Sequence, residues 1–131
     1  MITGFEGICL SVRDQDEALD FYVNKLGFEK RLDIQVNSEF RWVMISPLGA
    51  PGVEIVLYRP GPQDGEEEAE RLLNLIGKHP RWAFLTTNCQ ETYEQLRARG
   101  AHFLSPPAQM SHAIEALFED PYGNSCALHQ V

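Results

Sequence analysis

GICLSVRDQDEALDFYVNKLGF, residues 7–28, is the stretch whose reading decides the fold. Ile8, Leu10 and Val12 alternate with Gly7, Cys9 and Ser11, the period-2 pattern of a strand with one buried face. Arg13-Asp14-Gln15-Asp16 interrupts that pattern, and either aspartate can cap a helix start, its carboxylate accepting the unpaired N–H groups of the first turn. Ala18, Leu19, Tyr22 and Leu26 follow at helical spacing, and Gly27 stands where a helix C-cap is expected. The stretch therefore predicts strand, capped turn, amphipathic helix, glycine stop and a further strand.

Working outward, Phe28 to Val36 predicts a second strand and Phe40 to Ile45 a third, ended by the breaking cluster Pro47, Gly49, Pro51 and Gly52. Val53 to Tyr58 predicts a fourth strand. Val53, Ile55 and Leu57 form one apolar row, and Glu54, Val56 and Tyr58 point the other way. After a Pro- and Gly-rich loop, Glu66 to Ile76 predicts a linking helix with Ala69, Leu72, Leu73 and Ile76 on one face. Its acidic start suits the positive end of the helix dipole.

The order then recurs. Trp82 to Thr87 predicts a strand, Asn88 to Gln90 a turn, and Thr92 to Arg99 a helix stopped by Gly100. Ala101 to Leu104 predicts a strand broken at Ser105-Pro106-Pro107. Ile114 to Glu119 and Ser125 to Gln130 predict a hairpin around the turn Asp120-Pro121-Tyr122-Gly123-Asn124. The expected organisation is one 131-residue domain with a first module over about 4–59, a linker helix over about 64–77 and a second module over about 79–131.

Composition narrows the function classes. The chain carries 19 acidic and 11 basic residues, a net charge of -8. That disfavours nucleic acid, which calls for a basic face. No apolar run approaches a membrane span and no signal-peptide pattern opens the chain, so no membrane partner is expected. Cys9, Cys89 and Cys126 lack metal-like spacing and read as free thiols in a reducing compartment, which makes a cytoplasmic location the expectation. Neither a phosphate-binding glycine loop nor a Gly-x-Ser-x-Gly nucleophile motif occurs.

The repeated order, with SVRDQDEALDFYVNKLGF in the first half and FEDPYGN before the last strand, resembles the vicinal oxygen chelate superfamily of glyoxalase I, bleomycin-resistance proteins and extradiol dioxygenases. The resemblance implies an α+β fold of two βαβββ modules forming a cup-shaped mixed sheet with helices on the convex side. It also implies that two chains pair as a homodimer. Residues of one parity would then pack under the helices and the others would line the cup: Gly7, Cys9 and Ser11, then Glu54, Val56 and Tyr58, then Trp82, Phe84 and Thr86, and finally Ser125, Ala127 and His129.

Catalytic members hold a divalent metal with His, Glu or Gln at four positions, which correspond here to Gly7, Glu54, Trp82 and Ala127. Gly7 and Ala127 carry no donor, and Trp82 offers an N–H that cannot ligate a cation. Glu54 alone keeps ligand chemistry, with Ile55 replacing it should the register slip by one, and His129 is a conceivable second donor. One carboxylate does not hold a divalent ion tightly. No cofactor is therefore expected, the alternative being Ni, Zn, Fe or Mn on an altered ligand set that serves a lyase, isomerase or dioxygenase.

The expected ligand is a small aromatic or cationic molecule, sequestered by Trp42, Glu54, Tyr58, Trp82, Phe84, His112 and His129. Against this, the aromatics could fill the cup as ordinary core, and Glu54 could pair with Arg41. Glu54 and His112 are also candidates for acid/base catalysis without metal, although His112 reads equally as a surface-loop residue. Cys9 reads as an inert small residue or a reactive thiol.

Overall fold

A computed structural model describes residues 1–50 and 52–131. Pro51, one of the expected strand breakers, lies outside the described residues. The chain divides into two compact units, Met1–Ile76 and Gly77–Val131. Each is a four-stranded mixed sheet with a helix on one face, so the fold is α+β and repeats as expected.

In the first unit, β1 (Ile8–Ser11) runs parallel to β4 (Ile55–Tyr58), and β3 (Arg41–Ser46) and β2 (Glu29–Gln35) follow antiparallel, giving the order β1-β4-β3-β2. Helix α1 (Gln15–Leu19) starts at Asp14, whose Oδ1 accepts the N–H groups of Asp16 and Glu17 at 2.9 and 3.1 Å. It continues as a π-turn over Asp20–Lys25, in which the Leu26 N–H reaches back five residues to the Phe21 carbonyl. Phe21 and Tyr22, three and four residues after Ala18, are buried side by side with it. Gly27 closes the helix at φ 82°, a conformation glycine adopts without strain.

Leu10, Val12, Val43, Ile45, Ile55 and Leu57 form the buried helix side of this sheet, with Ala18, Phe21 and Tyr22. Ile8 and Val53, expected in the same rows, are exposed because they lie at or beyond the strand ends. Buried Gln15 fixes the helix to the sheet: its Nε2 donates to the carbonyls of Arg41 at 2.8 Å and Leu57 at 2.9 Å. That satisfies a polar group that would otherwise oppose burial. Helix α2 (Glu66–Leu73), preceded by a short 3₁₀ turn at Pro62–Asp64, ends before Ile76 and buries no residue.

The second unit repeats the topology. β5 (Trp82–Leu85) runs parallel to β8 (Ser125–Gln130), then come β7 (Ile114–Glu119) and β6 (His102–Gln109), in the order β5-β8-β7-β6. Helix α3 (Cys89–Ala98) begins three residues before the expected Thr92, because Asn88 caps it by accepting the Glu91 N–H at 3.0 Å. β6 does not stop at Ser105-Pro106-Pro107. It runs on through two register shifts, which is possible because it is an edge strand whose outer N–H groups need no partner. The Asp120–Asn124 turn forms as read: Asp120 Oδ1 accepts the N–H groups of Tyr122 and Asn124, and Asn124 Nδ2 donates to Asp120 Oδ2, all within 2.9 Å. No helix among the described residues is long and apolar enough to cross a membrane.

Candidate functional site

Register decides which side chains share the open, helix-free face of each sheet. In the first unit Leu32 stands opposite Met44, Ile34 opposite Trp42, Met44 opposite Val56, Val56 opposite Cys9, and Tyr58 opposite Ser11. This face carries an aromatic cluster that includes a residue sequence reasoning missed. The Phe40 ring lies 6.1 Å from Trp42 and 5.8 Å from Tyr58, bridging two of the expected ligand-binding residues. The signal was available: Phe40 sits two residues before Trp42, the side-chain period of a strand.

The Tyr58 hydroxyl donates to Asp64 and accepts from Gln63 Nε2. Burial, and then the bond to Asp64, push its pKa up, so Tyr58 remains neutral and presents its ring. Phe40 also borders a polar cavity of about 550 Å³ at the start of α1, towards the helix side, which Arg13, Gln15, Asp16, Arg41 and Arg59 line with it. Phe40 thus borders both the aromatic surface and the polar cavity.

Glu54 is half-buried, and its Oε1 accepts the Gly52 N–H at 3.4 Å. It does not pair with Arg41. Arg41 projects from the helix side, where it grips Asp33 with two nitrogens, at 2.8 and 2.7 Å, and Asp16 with a third at 2.8 Å. Glu54 has the parity of the opposite face, so the two side chains leave the sheet in opposite directions. Cys9 is an exposed free thiol, and burial of its sulfur together with the nearby Glu6 push its pKa up, the reverse of what an activated thiolate needs.

In the second unit the expected placement of Trp82 and Phe84 on the open face is corrected. Trp82 pairs in register with Cys126 and Phe84 with Leu128, which have the helix-side parity. Phe84 lies 6.4 Å from Phe118, Phe118 5.1 Å from Phe103, and Phe103 4.7 Å from Tyr93 of α3. Trp82 stacks on His79 at 4.2 Å, and its buried Nε1 has no hydrogen-bond partner among the described residues. The expected parity of β5 is off by one residue, and a one-residue slip reverses the face of every side chain in a strand.

On the open face itself, His129 stands opposite Glu115, and its Nε2 lies 2.7 Å from Glu115 Oε2. The bond from His129 holds the Glu115 carboxyl below its usual range, aided by His112 and Arg81. His112 Nε2 is 3.7 Å from the same oxygen. The structure thus joins two of the expected residues, His112 and His129, through Glu115, which sequence reasoning passed over.

The internal repeat also tests the donor set for a family-type metal. Gly7 lies seven residues before the helix cap Asp14, and the residue seven before the equivalent cap Asn88 is Arg81, not Trp82. Because Ile8 pairs with Ile55 and Trp82 with Cys126, the equivalent of Ala127 is Val56, not Glu54. The four matched positions are then Gly7, Val56, Arg81 and Ala127. None carries a metal donor, and Arg81 is a permanent cation whose Nε donates to Ser125 Oγ at 3.0 Å. These residues do not fit the metal of the catalytic relatives.

Two βαβββ units, each with an open sheet face, together with the DPYGN turn, define a class. The sequence model of the Glyoxalase/Bleomycin resistance protein/Dioxygenase superfamily matches residues 4–128. The chain belongs to that superfamily. It is 36% identical over 125 residues to an uncharacterised protein of Shewanella frigidimarina, covering 95% of this chain and 90% of that one. It is 34% identical over 114 residues to the YurT protein of Bacillus subtilis, covering 86% and 87%. Among solved structures, UcmS2 superposes with a TM-score of 0.84 at 34% identity over the whole of both chains. TnmS3, described as an antibiotic binding protein from Streptomyces sp. CB03234, superposes with a TM-score of 0.74 at 27% identity, covering 98% of this chain and 96% of that one.

Proposed function

We propose that the protein is a small-molecule binding protein of the drug-sequestration kind, which holds a planar aromatic or cationic organic ligand without using the metal positions of its catalytic relatives. The observation that carries this reading is the aromatic cluster of Phe40, Trp42 and Tyr58 on the open face of the first sheet. Flat rings stack on such a surface, and its ring faces attract a cationic substituent. The antibiotic-binding description of TnmS3 supports the same reading. The missing donors at Gly7, Val56, Arg81 and Ala127 weigh against lyase or dioxygenase chemistry of the family type.

Titration with planar aromatics and basic glycopeptides, followed by calorimetry and tryptophan fluorescence, tests it. A saturable quench is expected. Trp42→Ala should weaken binding at least about tenfold, about 1.4 kcal/mol, and Trp82→Phe should leave it unchanged, since Trp82 lies on the other side of its sheet. Failure of every compound to bind, or equal loss in both variants, would overturn the proposal.

A further inference from the structure

The β6–β7 hairpin and β8 bring together three metal-ligating groups at none of the positions used by the family. The loop between β6 and β7 is closed by the Met110 N–H donating to the Ala113 carbonyl at 2.8 Å, which holds His112 over the open face. Beneath it, Glu115 and His129 are cross-strand neighbours. The imidazoles of His112 and His129 meet edge to face at 5.1 Å. One donor atom from each of His112, Glu115 and His129 lies within 4.8 Å of the other two.

We propose that His112, Glu115 and His129 form a binding site for a divalent transition ion of the zinc, cobalt or nickel class. Two imidazoles and one carboxylate are the donor types these ions prefer, whereas calcium and magnesium need a larger shell of oxygens. Donors around a tetrahedral ion at about 2.1 Å stand about 3.4 Å apart, so the Glu115–His129 pair at 2.7 Å opens slightly while His112, 3.7 Å from Glu115, draws in. His112 has the room to adjust: the side chains of Glu115 and His129 are 15% and 20% exposed, and that of His112, on the loop, is 56% exposed. Ligation through Nε2 of His129 replaces its bond to Glu115 and puts the ring proton on Nδ1. Three protein donors with an open outer side leave a coordination position for water or an exogenous ligand.

The site is independent of the small-molecule reading, and the test keeps the two apart. Tag-free protein, stripped with chelator, is titrated with Co²⁺ by visible absorption and with Zn²⁺ by calorimetry. One ion per chain is expected, with the intense ligand-field band of low-coordinate cobalt. His112→Ala and His129→Ala should each weaken binding at least about tenfold, and Glu54→Gln should not. Circular dichroism checks the fold of each variant, and the exposed loop position of His112 keeps that variant informative should a strand variant fail to fold. Absence of the band and of binding heat overturns the proposal. So does binding that survives His112→Ala and His129→Ala, or binding lost in Glu54→Gln.

Discussion

Arg41 and Asp33 show what a single pair contributes on the helix side of the first sheet. The two-pronged guanidinium contact holds the Asp33 carboxyl at about 2, against an ordinary 3.8. Because the folded value lies below the unfolded one, the stabilisation is fully present above about pH 4 and is lost as pH falls towards about 2. Replacing Arg41 with Met should cost about 1 kcal/mol near neutrality. The gap between wild type and variant should then close between pH 4 and 2 in urea unfolding curves; a gap that stays constant would exclude the pair as its source. The turn residue Asn124 carries more. It is 1% exposed, accepts the His79 N–H at 2.9 Å and donates to the buried Asp120. Asn124→Ala leaves both partners short of a bond inside the protein, and a loss on the order of 3 kcal/mol is expected by the same measurement. A loss under about 1 kcal/mol would show that water replaces the side chain.

At the scale of elements, what was legible in the sequence depended on how local the deciding physics is. Asp14, Gly27 and the Asp120–Asn124 turn act within a few residues, and all three formed as read. The π-turn at Asp20–Lys25 and the edge position of β6 depend on what packs alongside, so the widened turn and the passage of strand through Pro106 and Pro107 were not legible, whereas the burial of Phe21, three residues after Ala18, was within reach. The site divided in the same way. Trp42 and Tyr58 kept their expected face, while Trp82 and Phe84 did not, because cross-strand register is a tertiary property. Glu115 was within reach: counting outward from the Asp120–Asn124 turn through Glu119/Ser125 and Leu117/Ala127 puts Glu115 opposite His129. The cap offers a direct check. Asp14→Ala removes the acceptor for two backbone N–H groups and should lower stability by about 1 kcal/mol. Asp16→Ala, which loses an exposed contact to Arg41, should cost less. Equal losses would assign the effect to charge instead of capping.

For the whole molecule, the open faces raise the question of what covers them. Leu32 and Ile34 on β2 and Val36 just past its end are 38, 48 and 56% exposed, although the chain carries a net charge of -8 and has ample polar residues for its surface. Apolar rows of this kind on a sheet edge mark association surfaces, and an uncovered edge strand also offers unpaired backbone groups. A second copy of the chain is the occupant we propose, and a stable interface would bury roughly 800 Å² per partner. Light scattering at micromolar concentration should give twice the mass of one chain. Leu32→Lys combined with Ile34→Lys should shift it to one chain without changing the circular dichroism, because both side chains lie outside the core. If pairing completes the ligand surface, the double variant also loses affinity in the fluorescence titration, and wild-type affinity falls on dilution below the dimer dissociation constant. A wild-type monomer with full ligand affinity would assign the exposed row on β2, beside Trp42 and Met44, to the ligand alone.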